Sequence, residues 1–177
     1  MAAKAADRLV WAVETLTVRP ADHLLEIGCG HGVAVSLICE RLAGGRITAI
    51  DRSEKMIAMA IARNRACIAS GTAVFHAVSL ADAEFGDERF DKIFAFHVRE
   101  LWMQPAGELG IVRKLLKPGG RLYLFNQLPQ WKEERDLQSF VKDLTNVLHD
   151  GGLAVRETLF HELKPTPAVC VIAEVSS

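Results

Sequence analysis

What this 177-residue chain lacks narrows its reading before any motif is considered. It has no excess of charge: 21 lysines and arginines stand against 22 aspartates and glutamates, a formal net charge of −1. General attraction to phosphate backbones or anionic lipid is therefore missing, and only a local basic patch could supply it. Its four cysteines, Cys29, Cys39, Cys67 and Cys170, form no CxxC pair, and no histidine at metal-ligand spacing continues into a second pair, so no metal site is expected. No apolar run approaches the roughly 18 residues that would span a bilayer. The first residues form no apolar signal core, and the cysteines fall mostly in predicted helices or strands, as buried thiols do; both point to a reducing, cytoplasmic compartment.

Half of the residues are apolar and 24% are charged, the balance of a globular protein. The length fits one domain, residues 1–177, with residues 1–20 as an N-terminal helix that packs on the core or caps a cleft. Leu9, Val10, Val13 and Leu16 give that segment its helical spacing from about Ala3 to Val18. A strand follows from His23 to Ile27, then a glycine loop, then a helix from Val33 to Leu42 closed by Gly44-Gly45. Arg46 to Ile50 reads as a second strand ending at Asp51, and Ser53 with Glu54 opens a helix that Gly71 ends. Thr72 to Val78 and Phe90 to Phe96 read as strands, and Leu101 to Leu116 as a helix interrupted or started late by Pro105. Lys117-Pro118-Gly119-Gly120 is a turn into a fifth strand, Arg121 to Phe125. A helix from Trp131 to His149 then precedes two strands, Leu153 to Phe160 and Ala168 to Val175, whose short connection requires antiparallel pairing. The alternation predicts an α/β fold of three layers, a mostly parallel sheet covered by helices on both faces.

In such sheets ligands bind beyond the carboxyl ends of the strands, which is where Gly28, Gly30 and Gly32 lie. A dinucleotide fingerprint would need glycine or alanine where Val33 stands, and a phosphate loop would need a lysine followed by serine or threonine. Both fail. What remains is Glu26 before the glycines and Asp51 at the end of the next strand. A carboxylate at Asp51 can accept hydrogen bonds from both hydroxyls of a ribose, or can cap the following helix. Glu26, nearly enclosed in an apolar run, needs an ammonium or loop amides to offset its burial.

In Leu25-Glu26-Ile27-Gly28-Cys29-Gly30-His31-Gly32, in Ile50-Asp51-Arg52-Ser53 with Met56, in Phe90-Asp91-Lys92-Ile93-Phe94 and in Leu116-Lys117-Pro118-Gly119-Gly120, the chain resembles the class I S-adenosylmethionine-dependent methyltransferases. The resemblance covers about Leu24 to Phe125 and implies seven strands in the order 3-2-1-4-5-7-6, the last one antiparallel beside the fifth. It implies S-adenosyl-L-methionine as cofactor and S-adenosyl-L-homocysteine as product. Gly28, Gly30 and Gly32 would lie against the methionine and ribose parts, Glu26 near the amino group, Asp51 on the ribose, and Arg52 and Met56 beside the adenine. Cys29, Leu80 and Phe96 join the implied cofactor contacts. Where many relatives carry an adenine-binding aspartate this chain has Ser79, with Asp82 displaced behind it.

Methyl transfer from a sulfonium needs the acceptor lone pair aimed along the methyl–sulfur bond, and needs a base only where the acceptor loses a proton. His97 is the candidate base, or a histidine that shapes its loop. Arg99, Glu100, Trp102, Asn126 and Gln127 are further acceptor-side candidates, while Trp102 and Trp131 fit a core role equally well. No Asn/Asp-Pro-Pro-Tyr/Phe signature occurs, the corresponding residues being Phe96-His97-Val98-Arg99. A small-molecule acceptor is therefore expected. The competing readings are a nucleic-acid methyltransferase using Arg63, Arg65, Arg99 and Arg113, and an accessory protein that binds the cofactor without turnover. An exposed N-terminal helix leaves room for a homodimer.

Overall fold

The computed structural model describes residues 7–103, 106–127, 134–164 and 166–176. The chain forms two compact units, one up to Ala83 and one from Glu84. The first contains α1 (Asp7–Thr15), β1 (His23–Ile27), α2 (Val33–Cys39), β2 (Arg46–Asp51), α3 (Glu54–Arg63), α4 (Arg65–Ala69) and β3 (Ala73–Ala77). The second contains β4 (Phe90–Phe96), α5 (Glu100–Met103), α6 (Ala106–Leu115), β5 (Leu116–Asn126), α7 (Glu134–Asp150), β6 (Leu153–His161) and β7 (Ala168–Val175).

The strands run in the expected order, β3-β2-β1-β4-β5-β7-β6. Strands β1, β2 and β3 pair in parallel, as do β4 and β5, while β7 lies antiparallel between β5 and β6. Continuous apolar strands explain the parallel part. Leu24, Leu25, Ile47, Ala49 and Ile50 are all buried, which a sheet covered by helices on both faces demands. The edge strands β3 and β6 carry the more exposed residues, so the burial falls off where the sheet has one neighbour fewer.

In the first unit α1 buries Ala12, Val13 and Leu16, and Arg41 Nη1 donates to the Val13 carbonyl at 2.9 Å, so this helix is tied to the turn that follows α2. Its expected beginning at Ala3 lies outside the described residues.

Three expectations are corrected. The helix foreseen from Ser53 to Gly71 is two helices, broken at Asn64, whose buried side chain bonds to Ser36 and Gly32 as well as to Ala60 of α3. Helix α2 stops at Cys39 instead of Leu42, because Arg41 N turns back to Ile38 O and Ala43 N is taken by Pro20 O. The turn at Lys117-Pro118-Gly119-Gly120 lies within β5. Phe90 pairs with Leu116 but Lys92 with Arg121, so these residues bulge out of a strand that has already begun. Gly119, at φ 74°, supplies the left-handed step. The helix foreseen over Leu101 to Leu116 appears as α5 and α6, with Pro105 between them outside the described residues; Trp131 is outside them as well. Among the described residues no helix is long and apolar enough to cross a membrane.

Candidate cofactor cradle and acceptor side

The cradle forms where β1 ends. Gly28 N and Cys29 N both donate to Ile50 O, at 2.8 and 3.0 Å, which folds the loop back over the end of β2. Such a turn needs left-handed backbone at alternate residues. Gly28, Gly30 and Gly32 supply it with φ of 75°, 53° and 73°. Asp51 then locks the loop with both oxygens: Oδ2 accepts Gly30 N at 2.9 Å, and Oδ1 accepts Ser53 N at 2.9 Å. The capping of α3 falls to Ser53, whose Oγ accepts Met56 N at 3.3 Å. Asp51 is thus a loop brace at the end of β2 and not the N-cap, and each of its oxygens keeps a further lone pair for a ligand.

Glu26 is the unusual group. It is 4% exposed on β1, and its Oε2 has no hydrogen-bond partner, so the loop amides do not satisfy it. Burial first and the charge of Asp51 second push its carboxyl up to about 8. A buried carboxyl beside a second carboxylate is an arrangement that a positive ligand group would resolve.

Gly30 and Gly32 differ in what surrounds them. A Cβ on Gly30 would meet nothing within 4 Å, so the loop is open there to an approaching ligand. On Gly32 a Cβ would stand 2.7 Å from Asn64 Nδ2 and 2.9 Å from Ala60 Cβ. Packing against α3 accounts for that glycine. Asn64 Nδ2 also donates to Gly32 O at 3.0 Å and to Ala60 O at 2.9 Å, while its Oδ1 accepts the Ser36 hydroxyl at 2.8 Å. Asn64 is therefore a latch on the glycine loop that the motif reading missed; its one signal was an asparagine amid the strong helix formers of α3 and α4.

Around the loop, Cys29 is buried, which with the charges of Glu26 and Asp51 pushes its thiol up, so that it is inert. His31 is exposed, and its carbonyl accepts Arg63 Nε at 3.1 Å. Arg52 is exposed and Met56 half-buried in the first turn of α3. Ser79 and Asp82, alternatives on sequence, form one unit: the Ser79 hydroxyl donates to Asp82 Oδ2, and Asp82 N donates back to Ser79 Oγ at 3.2 Å. Leu80 beside them is buried.

In the second unit, Phe96 ends β4, stacked on Phe125 with centroids 5.8 Å apart and edge-on to His97 at 4.5 Å. His97 has φ 59°. Its N–H donates to Phe125 O at 3.0 Å, and its Nε2 accepts Gln127 N at 2.6 Å. An imidazole that accepts at Nε2 carries its proton on Nδ1, so neither nitrogen offers a lone pair for removing an acceptor's proton. The geometry fits the loop-shaping role of His97, one of its two readings on sequence. Gln127 is anchored in turn, Nε2 donating to Thr166 O at 2.7 Å. Two buried polar atoms here lack partners among the described residues, Asn126 Oδ1 at the end of β5 and Trp102 Nε1 on α5. Arg99 donates to the Met103 sulfur at 2.8 and 3.2 Å, and Glu100 begins α5. No cluster of three metal-ligating side chains occurs among the described residues.

A mostly parallel seven-stranded sheet with this order, carrying a glycine loop braced by a strand-end aspartate, defines a Rossmann-like nucleotide-cofactor protein. Residues 25–122 match the family described as a methyltransferase domain, and the chain belongs to that family, the class I S-adenosylmethionine-dependent methyltransferases. The ubiquinone biosynthesis O-methyltransferase of Coxiella burnetii is 27% identical over 184 residues, covering 89% of this chain and 75% of that protein. The ubiquinone/menaquinone biosynthesis C-methyltransferase UbiE of Paracoccus denitrificans is 28% identical over 130 residues, covering 70% of this chain. This chain spans only 52% of UbiE's length. The magnesium protoporphyrin IX methyltransferase from Synechocystis, solved with S-adenosylmethionine bound, superposes with a TM-score of 0.68 at 19% identity over 96% of this chain and 76% of that one.

Proposed function

We propose that this protein transfers the methyl group of S-adenosylmethionine to a small-molecule acceptor and releases S-adenosylhomocysteine. The observation that carries the reading is the enclosed, unpartnered Oε2 of Glu26 beside a glycine loop that Asp51 holds open. That cradle fits the cofactor: Glu26 would hold its ammonium, the open side of Gly30 would admit its backbone-hugging part, and the spare lone pairs of Asp51 would take the ribose hydroxyls. Gly28, Arg52, Met56, the Ser79–Asp82 unit and Leu80 complete this side of the proposal, with Phe96 at the end of β4. When bound, the cofactor supplies a sulfonium-activated methyl group.

With His97 committed to Gln127, the reading assigns no general base, and positioning carries the reaction. An acceptor atom with a lone pair at neutral pH needs nothing more. Relatives named for ubiquinone and protoporphyrin chemistry support a small organic acceptor, and the net charge of −1 gives no support to a nucleic acid. The cysteine usage supports a cytoplasmic setting. Titration calorimetry with S-adenosylmethionine tests the cofactor, with binding expected and its absence overturning the reading. Incubation with radiolabelled cofactor and fractionated metabolite extract tests turnover: label should move to a small molecule, whereas binding without transfer to any fraction would favour an accessory role.

A further inference from the structure

The first unit carries an open cleft that no step above uses, with a volume of about 350 Å³, the size of a small-molecule site. The end of α2 lines it with Ser36 and Glu40, the end of α3 with Arg63 and Asn64, and the stretch after α4 with Ser70 and Thr72. Three of these residues also hold the glycine loop. Asn64 Nδ2 donates to Gly32 O at 3.0 Å, Ser36 Oγ steadies Asn64 by donating to its Oδ1 at 2.8 Å, and Arg63 Nε donates to His31 O at 3.1 Å. Wall and loop are one hydrogen-bonded piece, so whatever fixes the first fixes the second. Glu40 and Arg63 bring opposite charges to the cleft. Both are exposed, and among the described residues no ion pair joins them or ties either to another side chain. Opposite charges that share a cleft without meeting leave room for a ligand that bears both signs. Arg63 uses only Nε on the loop, so its terminal nitrogens keep their donors. The hydroxyls of Ser70 and Thr72, 2.9 Å apart, make the remaining wall polar.

We propose that this cleft is an effector site for a free α-amino acid, its ammonium on Glu40 and its carboxylate on Arg63, and that occupancy tightens the glycine loop on the cofactor. Both contacts are charge-assisted hydrogen bonds, and an arginine fork suits a carboxylate. The coupling rests on the cofactor reading above and needs two states of the loop. One is latched as seen here; in the other the bonds from Asn64 to Gly32 and from Arg63 to His31 are given up to water. An amino acid that bridges Glu40 at the end of α2 to Arg63 at the end of α3 is held fully only while Arg63 lies against the loop, so it favours the latched state. A cofactor seated on the same loop favours that state too. Two ligands that favour one state raise each other's affinity by the same factor.

The test uses the full chain, a panel of the free L-amino acids, thermal unfolding and titration calorimetry with S-adenosylmethionine. At least one amino acid should raise the unfolding temperature of the cofactor-free protein and tighten S-adenosylmethionine binding about fivefold or more, with the cofactor tightening the amino acid by the same factor. Glu40→Gln should remove both effects and bind the cofactor alone as wild type does. Glu26→Gln, altered in the cradle, should keep the thermal shift. A panel without effect would overturn the proposal, as would an amino acid that weakens cofactor binding or one whose effect survives Glu40→Gln, since these sit in the cradle or elsewhere. An amino acid that binds at Glu40 but leaves cofactor affinity unchanged would overturn the coupling. Should the cofactor itself fail to bind, the cofactor reading falls, while the thermal shift and its loss in Glu40→Gln still decide whether the cleft holds an amino acid.

Discussion

Binding of a ligand that carries an ammonium should expel a proton from Glu26. In the ligand-free protein this carboxyl lies at about 8, so at pH 7 it is roughly nine-tenths protonated. Ionising it there costs about 1.4 kcal/mol, the energy of one pH unit. An ammonium placed at Oε2 repays that cost and draws the group back toward the ordinary carboxylate range. Uptake of S-adenosylhomocysteine at pH 7 should therefore release about 0.9 proton, falling toward zero above pH 9, where the ligand-free carboxyl is already ionised. Calorimetric titration in buffers of different ionisation enthalpy reads this number directly. Glu26→Gln should bind more weakly and release no proton from this site. Equal proton release by wild type and Glu26→Gln would refute the placement of the ammonium at Glu26, and binding by neither would refute the cradle.

The same group makes stability depend on pH. Its folded value of about 8 lies above the unfolded 4.5, so the folded state holds a proton that the unfolded state has lost, and stability falls as pH rises from about 4.5 to 8. That gap corresponds to at most about 5 kcal/mol at 1.36 kcal/mol per pH unit. Urea unfolding of ligand-free Glu26→Gln across this range should show a flatter profile than wild type; parallel profiles would contradict the burial argument. Asp51→Ala removes the acceptors of Gly30 N and Ser53 N and should cost about 1–3 kcal/mol of stability, with cofactor affinity falling at least about tenfold, one ribose hydrogen bond's worth of 1.4 kcal/mol or more. Gly30→Ala should unfold close to wild type, losing about 1 kcal/mol to its positive φ, yet bind cofactor poorly. Gly32→Ala must displace Ala60 and Asn64 and should cost about 1–3 kcal/mol; equal losses of stability in the two variants would refute their assigned roles. His97→Ala should leave methyl transfer within about tenfold of wild type, well short of the 10²–10⁴ that removal of a general base costs, and assay against the identified acceptor distinguishes the two.

Much of the architecture was legible because parallel strands and amphipathic helices advertise themselves locally. The buried run His23 to Ile27, the glycine loop, the strand ending at Asp51 and the final hairpin all fell where periodicity and turn residues placed them. The errors came where a side chain or the backbone took a partner that the local sequence does not show. Asn64 breaks a helix because its amide reaches Gly32 and Ser36, about thirty residues away in sequence. The Pro118 turn fell inside a strand because pairing with β4 had already begun at Leu116.

The site divides in the same way. Residue types and spacing alone determined that Glu26, the three glycines and Asp51 form a set, since strand, loop and strand end are local features read from local sequence. The tertiary structure decided what each member does. It left Glu26 without a partner, made Asp51 a brace and Ser53 the cap, opened Gly30 and filled the space beside Gly32. It also took the lone pair of His97 for Gln127. A hydrogen-bond partner is chosen by proximity in space, and only packing brings together residues that the chain keeps apart.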